Sequence, residues 1–411
     1  SKTVFAANIY VNSPVDSGPA APGFIDVACN VRDAVLASNN NQDGNGCFHS
    51  NGPNSTVVGA YGDDVIILDR LTNPIVLKAQ LGELTISGNV TIQGKNKLGL
   101  PTTIDGNSAI RIFHIDESNV YDVFFYDVNV INGKAASIGG AILNSGDSNL
   151  TLNATSFSNN TALDGGAIYN GNGDLTINNS TFTNNSSSKY NGGAIYTYVS
   201  AGKSLITIDG STFSNNMAKT NQGGNGGAIY NMTHGAGTAQ LTVSNSIFDT
   251  NSGFEGGAIY NFDEGSGNNV LAISASNFTN NTAMADGGAI YGGIISIADS
   301  TFSKNIAIGI GGSGGAVASY YMLNANVNAL YQLDITDCSF VSNSSTHGAA
   351  VVNDGQSRIQ NSIFSDNTQG PAIQNGYSAY YGQSIAIYNS IFDNNTNNGG
   401  LLLKKGGAIM N

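Results

Sequence analysis

Two short patterns alternate along most of this chain, and together they leave little freedom in how it can fold. One is a glycine pair followed by Ala and a β-branched residue, at Gly139–Ile142, Gly165–Ile168, Gly192–Ile195, Gly226–Ile229, Gly256–Ile259, Gly287–Ile290 and Gly314–Val317, with degenerate copies at Gly348–Val351 and Gly370–Ile373. The other is a Phe followed three positions later by Asn: Phe157/Asn160, Phe182/Asn185, Phe213/Asn216, Phe248/Asn251, Phe278/Asn281, Phe302/Asn305, Phe340/Asn343, Phe364/Asn367 and Phe392/Asn395. Successive Phe residues lie 24 to 38 positions apart. A constant skeleton therefore carries loops of variable length.

Ahead of Phe182, Leu175 and Ile177 alternate with polar residues, which is the two-residue period of a strand. Runs this short, broken by Gly and Asn-Asn pairs, never offer two turns of helical periodicity. Each unit thus predicts two or three short strands with one apolar face apiece, joined by turns where Gly and Asn tolerate positive φ. A single unit cannot bury that face. Coils stacked about 4.8 Å apart can, because every strand then pairs with its equivalents above and below. The expected fold is all-β: a right-handed parallel β-helix (solenoid) with an N-terminal capping segment that contains a short amphipathic helix. Equivalent residues stack in such a fold, so Asn160, Asn185, Asn216, Asn251, Asn281, Asn305 and Asn343 are expected to form an internal ladder of side-chain amides.

The chain divides by pattern into a non-repeating cap (1–62), irregular first coils (63–138) and the repeat β-helix (139–411). In the cap, "CNVRDAVLASNN" places Val31, Ala34, Val35 and Ala37 on one helical face. A helix laid over the first coil would cover both its core and its unpaired strand edge. Cys29 and Cys47 flank one polar loop; a disulfide between them is expected and implies an oxidising compartment, the alternative being two unpaired thiols. Cys338, beside Phe340, reads as a small core residue.

"CNVRDAVLASNN", the loop closing at Cys47, "DDVIIL", "NVTIQG" and the repeats together resemble secreted bacterial and archaeal β-helix proteins whose cap carries a Cys-Ser-Leu-Arg-Glu-Ala motif. Cys29, Arg32, Asp33 and Ala34 stand where that family has Cys, Arg, Glu and Ala. The repeats alone are similar to those of chlamydial polymorphic outer-membrane adhesins, although the C-terminal barrel of those proteins has no counterpart here. These resemblances imply the fold and a surface setting more than a function.

With 15 Lys plus Arg against 28 Asp plus Glu, a net charge of −13 disfavours nucleic acid. No run of 18 apolar residues offers a membrane helix, and Ser1 opens no signal segment, so a processed N-terminus and an anchor outside this chain are expected. Catalysis finds little support. A polyuronate lyase needs a base and cations for carboxylates, yet between residues 139 and 395 only Lys189, Lys203, Lys219, Lys304 and Arg358 are basic. A hydrolase needs paired carboxylates, and the adjacent Asp63 and Asp64 read as turn chemistry. His49, His114, His234 and His347 lack metal-ligand spacing and read as surface residues, mostly in loops. Neither cofactor nor metal is expected.

Sequons such as Asn159-Asn160-Thr161, Asn179-Ser180-Thr181, Asn277-Phe278-Thr279 and Asn343-Ser344-Ser345 arise readily in so Asn-rich a chain. Two insertions, 319–332 and 375–383, cluster tyrosines, and Tyr320, Tyr321, Tyr380 and Tyr381 can either meet sugars or proteins or pack against their own solenoid. The functional expectation is an extracellular, cell-surface structural or adhesive protein whose partners are copies of itself, components of a host or neighbouring cell, or glycans. Self-assembly into filaments or a layer has a motive in the final segment, "GGLLLKKGGAIMN", which offers no capping helix. The alternatives are a polysaccharide lyase or hydrolase of the pectate-lyase-like class and a non-catalytic glycan-binding module.

Overall fold

The structure is a computed structural model and describes residues 8–16, 28–40, 47, 49–50, 64–68, 71, 73–95, 99–219, 221, 223–264, 269–320, 331–376, 384–398 and 408–410. One coil shows how the sequence makes the fold. Leu175–Asn178 forms a strand, Asn179 turns the chain in the left-handed region (φ 49°), and Thr181–Thr183 forms the next strand. Asn184 (φ 56°) turns it again into the two-residue strand Ser186–Ser187, and the glycine pair at Gly192 leads into Ile195–Val199. The following coil then begins at Lys203.

Among the described residues, stacked coils give a right-handed parallel β-helix with four sheets. The first has 14 strands, from the cap through Asp64–Ile67 to Ser384–Tyr388; the second and third have 12 each; a small fourth sheet has 8, from Thr161–Ala162 to Thr368–Gln369. The sequence pattern implied two or three strands per unit. The fourth sheet escaped it because two residues are too few to show alternation. Register is strict: Phe157 pairs with Phe182, Phe182 with Phe213, and so on to Phe392. These rings stack at centroid separations of 4.7–5.0 Å within 7° of parallel. Inward Leu150, Leu152, Leu175 and Ile177 and their equivalents fill the rest of one continuous core.

The two glycines of each pair do different work. Gly165 has φ +59°, whereas at Gly166 a Cβ would collide with the Gly193 carbonyl oxygen of the next coil. Close passage of backbones, rather than conformational freedom, fixes the second glycine.

Beside this corner, Asn160 donates from Nδ2 to Val130 O (3.1 Å) and to Asn185 Oδ1 (2.9 Å), while its Oδ1 accepts the Gly133 N–H (2.7 Å). The same bonds recur at Asn185, Asn216, Asn251, Asn281, Asn305 and Asn343 and continue through Asn367 to Asn395. A hydroxyl ladder runs two residues before each Phe: the Ser180 N–H bonds to Ser211 Oγ, Ser211 to Ser246, Ser246 to Ser276 and Ser276 to Ser300. Cys338 occupies a rung of that ladder, its N–H bonding to Ser362 Oγ and its thiol donating to Thr336 O at 3.1 Å. It is therefore a hydroxyl surrogate as well as a buried residue. Burial pushes its thiol up to about 11. Labelling with an aromatic disulfide reagent is expected to be negligible on the native chain at neutral pH and complete after unfolding. Rapid native labelling would contradict the assignment.

In the cap, a helix spans Val31–Asn40 and packs on Asn8–Tyr10, Asp64–Ile67 and Leu84–Ile86 with Val31, Ala34, Val35 and Ala37 buried. Asn30 Oδ1 accepts the N–H groups of Arg32 (2.9 Å) and Asp33 (3.0 Å), an N-cap. Cys29 and Cys47 are joined in a disulfide and are both buried. The strand Asn8–Tyr10 pairs in parallel with Asp64–Ile67, so the cap also supplies a strand to the first sheet. Asp64, expected in a turn, instead opens that strand and is buried; Asp63 lies outside the described residues.

Candidate functional site

Insertions in this β-helix are placed unevenly. Where the third sheet passes to the first, the connection runs from a single residue, Gly293, to the long segments between Ser319 and Leu333 and between Asn375 and Ser384. Both tyrosine-rich insertions therefore leave from the same edge of the rod. The amide ladder beneath that edge is discontinuous. Asn144 bonds to Asn170 (2.8 Å), Asn231 to Asn261 (2.7 Å) and Asn353 to Asn375 (3.0 Å), but Thr197, Gly292 and Ser319 hold the intervening rungs. The ladder at Asn160–Asn395, under the opposite end of the third sheet's glycine turn, has no such break.

The outer face of the third sheet adjoins this edge and carries a column of tyrosines. Tyr169, Tyr196, Tyr230, Tyr260 and Tyr291 stack in register at 4.8–5.2 Å, and Tyr320 closes the column at 5.4 Å with its ring tilted by 41°. Tyr198, Met232 and Phe262 lie alongside. Each interior ring spends both faces on its neighbours, so none is left for stacking on a sugar; edges and hydroxyls are what the column presents. Burial pushes these phenols up, Tyr169 to about 12 and Tyr196, Tyr230, Tyr260, Tyr291 and Tyr320 further. They remain hydroxyl donors at any physiological pH.

From Gly165 on, a polar row borders the column at the residue before the glycine turn: Asp164, Asn191, Asn225, Glu255, Asp286, Ser313 and His347. Asp164 Oδ1 accepts the Asn191 N–H (2.8 Å), Asn191 Oδ1 that of Asn225 (2.9 Å), and Asp286 Oδ1 that of Ser313 (2.8 Å). The Tyr320 hydroxyl donates to Asp286 Oδ2 (3.2 Å). Desolvation raises the carboxyls of Asp164 and Asp286 and, joined by the Asp286 charge, takes Glu255 to about 7.

The folded chain thus keeps a proton on Glu255 between 4.5 and about 7, where the unfolded chain has released it. Its contribution favours the fold at low pH and is lost as pH rises through that window. Wild-type melting temperature is expected to fall across it by more than that of Glu255→Gln; parallel profiles would refute the assignment.

A separate charged group lies near the cap. Arg111 Nη1 contacts Glu83 Oε2 at 2.7 Å, His114 Nδ1 lies 3.1 Å from Glu83 Oε1, and Arg111 also donates to the carbonyls of Ile138 and Gly139. Hydrogen bonding from His114 holds the Glu83 carboxyl below its usual range. His114, expected on a loop surface, is a half-buried strand residue, because its pairing with Glu83 satisfies the ring where the strand carries it; His49 also lies on a strand. His234 is exposed and His347 half-buried. Among the described residues no three His, Cys, Asp or Glu side chains are placed to hold a metal ion.

Tyr320 is the described member of the four tyrosines singled out in the sequence, and it packs as the last ring of the column; Tyr321, Tyr380 and Tyr381 lie outside the described residues. The column itself was missed, although Tyr follows the Gly-Gly-Ala-Ile pattern at five positions.

Residues 154–171, 179–198, 210–232 and 275–293 match the family model of the Chlamydia polymorphic membrane protein repeat. Four coils thus contain segments similar to this repeat. Each matched segment starts at the turn before a second-sheet strand and ends on a third-sheet strand or one residue past it. It therefore spans the glycine turn and the Phe and Asn columns, and leaves out the first sheet and nearly all of the loop edge. No curated protein and no solved structure matches the chain. No helix among the described residues is long and apolar enough to cross a membrane.

Proposed function

We propose that this chain is a non-catalytic, extracellular cell-surface protein, a rigid rod that presents contact loops from one edge to another cell, to glycans or to copies of itself. The observation that carries this reading is that both tyrosine-rich insertions, 320–332 and 376–383, leave from the edge between the third and first sheets, where another coil closes with the single residue Gly293. Similarity to the polymorphic membrane protein repeat supports a surface setting. The disulfide supports an oxidising compartment.

The chain contains its own control. Replacing residues 320–332, or 376–383, by the one-residue Gly293 connection should leave the rod intact by circular dichroism. Binding of the purified protein to immobilised cells and to acidic and neutral glycans is expected to fall at least tenfold. Undiminished binding by both shortened variants would overturn the reading. Release of soluble sugar products from the same glycans would instead establish the lyase or hydrolase alternative.

A further inference from the structure

The corner between the second and third sheets, built on the small fourth sheet, differs from the rest of the rod surface. Its outward row runs Thr161, Ser186, Met217, Ser252, Thr282, Ile306, Ser344 and Thr368 in register. Two residues further along each coil, the row runs Leu163, Ser188, Lys219, Phe254, Met284 and Ile308. Over the coils from Met217 to Ile310 five of these eight positions are apolar and stay in solvent: Met217 is 48% exposed, Phe254 37%, Met284 40%, Ile306 36% and Ile308 54%. Ile310, flanked by Gly309 and Gly311, is fully exposed at the tip of its loop. Adjacent coils align Phe254, Met284 and Ile308 into one ridge about 4.8 Å per step. A contiguous apolar ridge of this kind is a site of interaction.

The surrounding charge says what it meets. Between residues 139 and 395 the chain has five cations, and three of them border this ridge. Lys219 holds the rung next to Phe254; Lys304 sits in the turn two residues before Ile306; exposed Lys189 follows Ser188 and lies over the Tyr190 ring at 4.7 Å. Tyr190 is itself 42% exposed. Of the carboxyls of the same coils, Asp286 accepts the Tyr320 hydroxyl and Glu255, next to Phe254, accepts from the Asn225 amide at 3.4 Å, so both belong to the polar row beside the tyrosine face. In a chain of net charge −13, lysines gathered around exposed Ile, Met and Phe select a surface that is negative outside and hydrocarbon beneath.

We propose that this corner docks on an anionic lipid surface, with Ile308 and Ile310 entering the headgroup–acyl boundary, Phe254 and Met284 behind them, and Lys189, Lys219 and Lys304 on lipid phosphates. The contact is distinct from the loop edge and independent of the adhesive reading. It acts at short range, since the acidic remainder of the rod is screened beyond about 8–10 Å at physiological salt.

The fold supplies gentle substitutions for the test. Lys304, in the left-handed region (φ 55°), can become Asn, the residue at Asn159, Asn184 and Asn280 in the same turn. Lys219→Ser and Ile308→Ser copy Ser188 of the same row, and Ile310→Ser changes only a loop tip. Flotation with vesicles of phosphatidylglycerol and phosphatidylcholine, against phosphatidylcholine alone, is expected to capture the wild-type chain on the anionic vesicles only. Raising the salt should weaken capture. Each lysine near an anionic surface is worth about fivefold, so Lys219→Ser/Lys304→Asn should lose binding on the order of 25-fold. Ile308→Ser/Ile310→Ser should lose at least tenfold. Absence of binding, equal binding to neutral vesicles, or variants that bind as the wild type does would each overturn the proposal. So would a wild-type chain that ignores vesicles but oligomerises through this ridge, with the Ile308→Ser/Ile310→Ser variant monomeric: the occupant would then be a second copy.

Discussion

Asn216→Ala is expected to destabilise the β-helix by roughly 3–6 kcal/mol, because several buried polar groups lose their partners together. Asn216 Oδ1 accepts both the backbone N–H and the Nδ2 of Asn185, each at 3.1 Å, and Asn216 Nδ2 donates to Phe182 O at 2.9 Å and Asn251 Oδ1 at 3.0 Å. No water reaches this position to replace them, since Asn216 is fully buried. Asn216→Asp separates hydrogen bonding from volume. The carboxylate is nearly isosteric, has no donor, and would face the Phe182 carbonyl and Asn251 Oδ1 with negative charge, so it should cost at least as much as Ala. Asn395, the last described rung and only half-buried, provides the contrast: Asn395→Ala should cost no more than about 1 kcal/mol. Urea unfolding followed by circular dichroism, with proteolysis to locate the break, measures all three. Equal losses at Asn216 and Asn395 would refute a cooperative internal ladder.

Position along the rod matters because a solenoid holds together through contacts between neighbouring coils. A defect in the middle divides the stack into two parts, each with a newly exposed core; one at the edge only frays it. The same reasoning accounts for the sequons. In Phe-x-Asn-Asn-Ser/Thr, as at Asn159-Asn160-Thr161 and Asn280-Asn281-Thr282, the first Asn serves the left-handed turn, the second is the buried ladder rung, and the hydroxyl residue faces out from the fourth sheet. Three separate demands of the coil spell the motif without reference to modification.

What could be read in the sequence follows from what repeats. Phe157 through Phe392 and Asn160 through Asn395 are legible because stacking forces the same side chain into the same place in every coil. The tyrosine column obeys the same rule, and its signal is Tyr directly after Gly-Gly-Ala-Ile at five positions. Features that combine several non-equivalent residues were not legible. Glu83 and Arg111 stand 28 positions apart and meet with His114 only once a coil has closed, and the raised Glu255 carboxyl depends on burial between stacked coils and then on the Asp286 charge one coil later. The apolar ridge is equally silent in sequence: Phe254, Met284 and Ile308 belong to neither repeated pattern, and it is register that shows them facing outward in one line.

At the other end of the rod, Arg32→Ala is expected to release the cap. Arg32 Nε and Nη2 grip Asp16 at 2.9 and 3.2 Å, and its remaining donors reach Glu83 O (3.1 Å) and Gly82 O (2.8 Å), so one guanidinium ties the helix to a chain segment and to the first coil. The Asp16 side chain is fully buried and also accepts the Lys78 N–H at 2.7 Å. Truncating Arg32 leaves that carboxylate, among the described residues, with the Lys78 N–H as its one donor, a loss of about 3–5 kcal/mol. Lysine should rescue little, since an ammonium cannot reproduce a bidentate grip while reaching two carbonyls. Replacing both charges, Arg32→Met with Asp16→Leu, should recover much of the stability, because the penalty comes from the unpaired ion rather than from loss of the pair's attraction. The readout is new protease cleavage within residues 28–40 and increased binding of a hydrophobic dye, as Val31, Ala34 and Val35 lift from the first coil. If Arg32→Ala resists cleavage as the wild type does, or if the double variant is no better than the single one, the pair does not hold the cap.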